Sequence, residues 1–87
     1  MRVLYHRNFD KKYLKLRTGQ KQKFQERQAL FMSDPFHPSL NNHRLHGEYV
    51  GCRSIDITGD LRAHYELIDV STAMFVIIGT HSELYGK

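Results

Sequence analysis

The 87-residue chain lacks several features that define whole classes of protein. It has one cysteine, Cys52, so no disulfide can form within the chain, and a free thiol is typical of a reducing compartment. No apolar run approaches the roughly 20 residues that a bilayer-spanning helix needs. The N-terminal apolar stretch is too short for a signal peptide, and there is no phosphate-cradling glycine loop. We therefore expect one cytoplasmic domain over residues 1–87, with no membrane partner.

Charge is distributed unevenly along the chain. Residues 1–46 contain 10 of the 13 lysines and arginines and 3 of the 9 acids, whereas residues 47–87 contain 3 basic and 6 acidic residues. A basic half favours an anionic partner such as nucleic acid, although a solvated, lysine-rich helix face has the same composition. Contacts of this kind go to phosphates. The candidate RNA-binding residues are Lys11, Lys12, Lys15, Lys21, Lys23 and Arg27.

The first part of the chain predicts one strand and two helices. Residues 2–6 are β-prone and are expected to form an opening strand. Asn8 can cap a first helix from Phe9 to about Leu16, whose apolar residues share one face, and Gly19 suits its C-terminal end. A second helix is expected from about Gln20 to Met32. It ends there because the next residues include a proline, which disfavours helical backbone before it.

The second part of the chain predicts a long loop and a meander of three strands. The loop covers residues 33–47, and the strands are expected at 50–57, 61–68 and 73–79, joined by turns. In the middle strand Leu61, Ala63, Tyr65 and Leu67 alternate with Arg62, His64 and Glu66. The fold class expected is α+β, ordered β-α-α-β-β-β, with two N-terminal helices packed on one face of a twisted antiparallel β-sheet. The polar face of the sheet should then be open and present Arg62 and His64.

Histidine is abundant, with six residues in 87, and two chemistries use it. RNA cleavage by the 2′-hydroxyl needs a base, an acid and a cation for the phosphate, and histidine with arginine can supply all three at neutral pH. Arg62 and His64, with histidines from flanking loops, fit this chemistry without a metal. The alternative is a metal site made by His37, His43 and His46, although their spacing matches no standard ligand pattern.

Three motifs resemble the YafQ-like branch of the RelE/ParE superfamily. They are the loop His43-Arg44-Leu45-His46-Gly47 leading to Gly51-Cys52-Arg53, the strand start Asp60-Leu61-Arg62, and the closing Gly79-Thr80-His81-Ser82-Glu83-Leu84-Tyr85. The predicted order of elements agrees with a RelE-like fold. The resemblance implies the toxin of a type II toxin–antitoxin system, an endoribonuclease (mRNA interferase) that cuts mRNA in the ribosomal A site. Its implied partners are mRNA, the ribosome and a cognate antitoxin protein, and no cofactor is expected.

The resemblance also implies roles for individual residues. His81, just after the last strand, matches the C-terminal histidine of the family and is the main candidate for proton transfer. His43 matches a loop histidine, and Asp60 an aspartate of the site. Arg62 matches a strand arginine that contacts phosphate, and Tyr85 matches the closing aromatic that stacks on or orients a base. The basic helix residues would then position the toxin on the ribosome, and no metal is expected.

The sequence departs from the family pattern at two positions. Asp56 stands where YafQ-like sites often have a second strand histidine, and Ile77 stands where some relatives have an arginine. The lysine pair of RelE is absent from this strand as well. Because these differences remove cationic groups, an alternative function remains open. It is a catalytically weak or inactive toxin-fold protein that acts as an antitoxin- and operator-binding module.

Overall fold

The computed structural model describes residues 1–86, which form five strands and three α-helices. In chain order they are β1 (Arg2–Tyr5), α1 (Arg7–Leu14), α2 (Thr18–Ser33), β2 (His43–Arg44), β3 (Arg53–Asp56), β4 (Leu61–Asp69), β5 (Thr72–Thr80) and α3 (His81–Tyr85). Two short 3₁₀ turns, Pro38–Leu40 and Gly47–Tyr49, lie in the long loop region. Within residues 1–86 no helix is long and apolar enough to cross a bilayer.

The strands form one sheet in the order β1-β5-β4-β3-β2. Strands β2 to β5 pair antiparallel with their neighbours, and β1 pairs parallel with β5. The predicted α+β architecture is therefore confirmed, with three corrections. The short strand β2, which lies within the predicted loop, and the helix α3 are additional elements, and the opening strand pairs parallel rather than antiparallel. Two helices separate β1 from the rest of the sheet, and a connection of that length permits parallel pairing, whereas short turns enforce antiparallel pairing.

The core lies between one face of the sheet and helices α1 and α2. Phe9 of α1 and Phe24 and Phe31 of α2 each place their ring centroid 5.2–5.7 Å from the ring of Phe75 in β5. The ring of Tyr65 in β4 meets Phe31 edge-on at 4.7 Å. Aromatic pairs in this range add to the burial of apolar area that holds the layers together. Both predicted helices thus pack on the same face, as expected.

The helix boundaries differ from the predicted ones. Helix α1 begins at Arg7 and not at Phe9, because the Nδ1 atom of His6 accepts from the backbone N–H of Asn8 at 3.0 Å and acts as the cap in place of Asn8. Gly19 does not end this helix but lies in the first turn of α2. A side-chain oxygen of Gln20 accepts from the backbone N–H of the preceding cap residue at 2.9 Å, which favours the earlier start of α2.

The alternation predicted for β4 holds on the inner face, where Leu61, Ala63 and Tyr65 are buried. Leu67 is 51 % exposed, because the pairing of β4 with β5 shifts register near that end of the strand. The expectation of an open outer face is wrong at His64, whose side chain is 0 % exposed. Gly79 pairs with an outward-facing residue of β4, and the short helix α3 packs against this glycine, so α3 covers part of the outer face.

Candidate functional site

Helix α3 sets the position of two predicted site residues, His81 and Tyr85. The helix begins at His81 because Thr80 caps it: the Thr80 hydroxyl accepts from the Glu83 N–H at 3.2 Å, and the Glu83 carboxylate accepts from the Thr80 N–H at 2.7 Å. These bonds satisfy two backbone donors near the start of the helix. His81 is therefore the first residue of a helix, not a residue after a free strand end, and its side chain is exposed.

Four rings on the outer face of the sheet form an aromatic cluster, which consists of Tyr49, His64, His81 and Tyr85. The ring centroids of His81 and Tyr85 are 4.6 Å apart. The hydroxyl of Tyr85 lies 3.1 Å from Nε2 of His64. The ring of Tyr49 meets His64 edge-on at 4.6 Å and lies 6.4 Å from the ring of Tyr85. Tyr85 is thus the link between the exposed His81 and the buried His64.

His64 is the buried member of this cluster. In the strand ladder it pairs with Ser54 on one side and Ile77 on the other. Burial, with a smaller effect of the nearby His43 charge, lowers the pKa of His64 to about 4. Its imidazole is therefore neutral near pH 7, which removes it as an acid in proton transfer at that pH.

His43 lies in the short edge strand β2, where it pairs with Ser54 of β3, and Ser54 in turn pairs with His64 of β4. Its Nδ1 is 2.7 Å from the carbonyl oxygen of Asn41. A carbonyl only accepts, so Nδ1 must carry the proton, and the neutral ring leaves Nε2 unprotonated. The side chain is exposed. The structure thus gives His43 an oriented nitrogen that can accept a proton from a bound substrate.

Asp60 lies in the turn between β3 and β4, beside the start of α3. Its carbonyl oxygen accepts from the backbone N–H of His81 at 3.2 Å. Its side chain is exposed, and its N–H donates to the hydroxyl of Thr58 at 3.3 Å. The structure therefore brings Asp60 and His81 together, although they are 21 positions apart in sequence.

Arg62 is engaged by the protein itself. Its Nε lies 3.0 Å from a carboxylate oxygen of Asp56, and its Nη1 and Nη2 donate to the carbonyl oxygens of Thr58 and Gly59 at 2.9 and 3.1 Å. The expectation of an arginine standing free on an open face is therefore wrong. Asp56, which departs from the family pattern, provides the partner that fixes this guanidinium. Arg62 thus organises the turn that carries Asp60. Burial raises the pKa of Tyr85, and the positive charge of Arg62 lowers it by a smaller amount.

An open groove of about 520 Å³ adjoins the aromatic cluster at Tyr49. Its lining consists of His6, Asn8, Glu48, Tyr49, Cys52, Glu66, Met74, Val76 and Ile77. Burial, followed by the charge of Glu66, raises the pKa of the Cys52 thiol, which makes this cysteine a poor nucleophile. The groove therefore offers apolar and acceptor groups rather than a reactive thiol.

The six predicted RNA-binding residues fall into two groups. Lys11 and Lys12 on α1, and Lys15 at its C-terminal cap, are exposed. The pKa of the Glu83 carboxylate in α3 is lowered mainly by the bond from the Thr80 backbone N–H; burial raises it, and the charge of Lys12 lowers it further. The α2 residues have protein contacts: Lys23 lies 3.7 Å from Glu26, Lys21 lies over the ring of Tyr13, and Arg27 donates to Ser39 at 3.0 Å. The α2 cations are therefore partly engaged within the protein, whereas the charge of Lys12 lies near α3.

The histidines of the long loop do not assemble a metal site. Among residues 1–86 no three His, Cys, Asp or Glu side chains are placed to hold an ion. Nδ1 of His37 instead accepts from the backbone N–H of Ser39 at 3.1 Å, which caps the 3₁₀ turn. His37, His43 and His46, the residues of the alternative metal site, are thus not grouped as ligands in this part of the chain.

Sequence reasoning missed three features of the site: Tyr49, the start of α3 and the burial of His64. Tyr49 lies in a 3₁₀ turn, and no sequence motif or periodicity indicated that its ring packs over His64. The start of α3 could have been found, since Thr80 and Glu83 have the threonine-to-glutamate spacing of a capping box. The burial of His64 could not, because alternation alone assigns it to the outer face without showing what covers that face.

The chain was compared with known proteins. A family profile described as "Bacterial toxin of type II toxin-antitoxin system, YafQ" matches residues 1–86. Comparison with curated proteins gives no match. The chain is similar to the crystal structure of YafQ from E. coli strain BL21(DE3), with a TM-score of 0.82 and 22 % identity, covering 99 % of this chain and 100 % of that one.

Two further solved structures have the same fold. YafQ in the E. coli DinJ–YafQ toxin–antitoxin complex has a TM-score of 0.78 at 22 % identity, covering 97 % of this chain and 96 % of that one. A YoeB/ParE toxin from Agrobacterium tumefaciens has a TM-score of 0.76 at 16 % identity, covering 93 % and 99 %. These likenesses agree with the RelE-like order of elements, and the family profile covers nearly the whole chain. The chain therefore belongs to the YafQ family of type II toxin–antitoxin toxins.

Proposed function

We propose that this toxin is a ribosome-dependent mRNA endoribonuclease that works by acid–base chemistry without a metal ion. The observation that carries the proposal is the placement of two exposed, oriented histidines, His43 and His81, on the face that contains the aromatic cluster. Family membership supports a toxin, and the two histidines support cleavage by proton transfer.

The reaction proposed is attack of the mRNA 2′-oxygen on the adjacent phosphorus. A 2′,3′-cyclic phosphate forms, and the bond from phosphorus to the 5′-oxygen breaks. His43 takes the 2′-hydroxyl proton, because its Nδ1–H is held by the Asn41 carbonyl and Nε2 is left to accept. His81, in its protonated form, donates to the leaving 5′-oxygen. One proton is taken up and one is released, so the protein returns to its starting state after proton exchange with water.

The remaining predicted residues support these two. Asp60 lies beside the start of α3, where its carbonyl oxygen accepts from the backbone N–H of His81 and its carboxylate is exposed. Tyr85 presents its ring for stacking on a base. Arg62 holds the turn that carries Asp60 and adds positive charge near Tyr85. Its guanidinium is occupied by these contacts and is not free to bind phosphate with two parallel hydrogen bonds. We assign no step to a metal or cofactor.

Three partners belong to the proposal. YafQ of E. coli has been solved in complex with DinJ, and we extend that type of partnership to a cognate antitoxin for this chain. The exposed lysines of α1 contact phosphates of the ribosome, which brings the outer face of the sheet to mRNA in the A site.

Growth and RNA measurements test this function. Induced expression of the toxin alone should arrest growth, co-expression with the antitoxin encoded by the neighbouring gene should relieve the arrest, and mRNA 5′ ends should map within translated codons. Metal analysis of the purified protein should find no stoichiometric zinc. Normal growth with stably accumulated toxin and unchanged mRNA ends would contradict the proposal.

A second candidate function is favoured by the Arg62–Asp56 pair. This ion pair neutralises a cation that the family resemblance places on phosphate. The alternative function is therefore a binding module, which retains contacts to an antitoxin and an operator but does not cleave RNA. It predicts a stable antitoxin complex together with normal growth when the toxin is expressed alone. The growth experiment therefore distinguishes the two functions directly.

A further inference from the structure

His64 has a set of contacts that packing alone does not explain. Its side chain is 0 % exposed, yet its Nε2 lies 3.1 Å from the hydroxyl of Tyr85. Among the described residues, Nδ1 of His64 and the hydroxyl of Ser54, its cross-strand neighbour, are buried without a hydrogen-bond partner. Buried polar atoms without partners cost stability, and an apolar side chain would fill this position without that cost. The contact with Tyr85 is what the imidazole adds.

That contact leads outward to the reactive face. Tyr85 is only partly buried, and its ring lies 4.6 Å from the ring of His81. The ring of Tyr49 meets His64 edge-on and lies 6.4 Å from the ring of Tyr85, so both tyrosines cover His64. With its hydroxyl held at the inner end, the Tyr85 ring cannot turn freely about its χ angles. The imidazole of His81 then packs, at an interplanar angle of 45°, against a ring of fixed orientation.

We propose that His64 is a positioning residue of the cleavage site, which holds the Tyr85 hydroxyl through Nε2 and thereby fixes the ring that His81 contacts. The inference rests on the proposed endoribonuclease. His64 itself touches no substrate, because Tyr49 and Tyr85 cover it. Its lowered pKa is consistent with this role, since a neutral ring keeps one constant hydrogen-bonding state near pH 7.

Substitutions can separate positioning from packing. His64→Leu removes the hydrogen bond and both buried polar nitrogens at similar volume, so the protein should be at least as stable as wild type. His64→Gln places an amide group near the position of Nε2, whereas His64→Asn reaches only the position of Nδ1. Tyr85→Phe removes the other partner of the bond. The readouts are the single-turnover rate of mRNA cleavage on programmed ribosomes, the affinity for ribosomes, and the melting temperature.

We expect His64→Leu to slow cleavage by about 10–100-fold, since a displacement of ~1 Å in a site costs as much as 10²-fold. Ribosome affinity and melting temperature should not fall. His64→Gln should keep most of the activity and His64→Asn should not. Combining His64→Leu with Tyr85→Phe should slow cleavage no further than the slower single variant, because both remove the same bond.

The outcomes are distinct. Full activity of His64→Leu, equal activity of the Gln and Asn variants, or additive losses in the double variant would overturn the positioning role. If His64→Leu does not fold, the comparison of Gln with Asn decides the question alone. If wild-type protein cuts no mRNA on ribosomes while its antitoxin complex forms normally, it is the proposed endoribonuclease that fails, and the positioning role fails with it.

Discussion

His43 and His81 differ from the other exposed histidines because their surroundings define both orientation and chemistry. The Asn41 carbonyl fixes the tautomer of His43, and the ring of His81 packs against the ring of Tyr85. Both side chains are open to solvent, so substitution removes a proton carrier without leaving a cavity in the core. Activity and stability should therefore separate at these two positions.

His81→Ala should abolish growth arrest and leave the melting temperature close to that of wild type. Loss of a positioned proton carrier lowers a rate by about 10²–10⁴-fold. Cleavage of mRNA on purified ribosomes, with thermal unfolding measured on the same preparation, checks both parts. A stably expressed variant that still arrests growth would remove His81 from the reaction.

His43→Gln should lower the cleavage rate by a similar factor of about 10²-fold or more, because glutamine cannot accept and carry a proton. His46→Gln is the matched control, since His46 is also exposed, lies in the same loop and makes no side-chain cap bond. Equal rates for the two variants would show that the loop contributes no specific base.

At the scale of elements, the short helix α3 holds two residues of the proposed site, His81 and Tyr85. The start of α3 depends on the reciprocal hydrogen bonds of Thr80 and Glu83. The helix packs against Gly79, where a Cβ atom would come within 3.1 Å of the Glu83 carboxylate and 3.2 Å of the Leu84 side chain. The orientation of His81 and Tyr85 therefore depends on an element of five residues.

Thr80→Ala should cost about 1 kcal/mol of folding stability through loss of the cap. Cleavage should fall by about tenfold or more, because His81 and Tyr85 lose their fixed positions. Ser82→Ala, on the exposed side of the same helix, is the control and should change neither quantity appreciably. Cleavage at the wild-type rate by Thr80→Ala would show that α3 need not be ordered in the free protein.

The second element in the proposal is α1, with Lys11, Lys12 and the cap residue Lys15. Replacing Lys11, Lys12 and Lys15 by glutamine should weaken ribosome binding and reduce the slope of log K against log salt by about 2 to 3, at roughly 0.7–0.9 per lost phosphate contact. Codon preference should not change, because phosphate contacts carry no sequence information. Ribosome pelleting across a salt series measures the first effect, and mapping of mRNA ends measures the second.

Lys21 and Lys23 provide the comparison for that experiment. They contact Tyr13 and Glu26 within the protein, so their replacement by glutamine should reduce the salt slope by less per charge. If the α1 triple variant binds ribosomes as tightly as wild type but cuts at different codons, the roles of the basic helices and the sheet face have been assigned the wrong way round.

Elements were predictable where periodicity decides them. The three strands of the meander and the two N-terminal helices follow from apolar spacing, and Leu61, Ala63 and Tyr65 face the core as expected. Three features were not predictable: the parallel pairing of β1, the burial of His64 and the ion pair of Arg62 with Asp56. Each depends on contacts between residues that are distant in sequence. His43 and Asp60 could be identified only through the family motifs, and their roles remain predictions.

For the whole molecule, His64 couples the site to stability. Its pKa is about 4 in the folded protein against an ordinary value of 6.5, so between these values the unfolded chain binds the proton and the folded chain does not. Stability is then lost as pH falls from about 6.5 toward 4, by about 3 kcal/mol for this shift. The nearby groups are His43, which adds to the shift, and the uncharged phenols of Tyr49 and Tyr85.

Denaturant unfolding between pH 7 and pH 4 measures this contribution. The free energy of unfolding should fall by about 3 kcal/mol more in wild type than in His64→Leu, whereas His46→Gln should follow wild type. A pH dependence that is the same in His64→Leu and wild type would show that His64 is not the group responsible.

Cleavage of a defined mRNA by the purified toxin, with and without ribosomes carrying an empty A site, tests the central claim most directly. We predict cuts within the A-site codon when ribosomes are present, 5′ products that end in a 2′,3′-cyclic phosphate, and no comparable cutting of the free RNA. The result that would contradict the account is intact mRNA on ribosomes that the toxin binds, or equal cutting of free and ribosome-bound RNA.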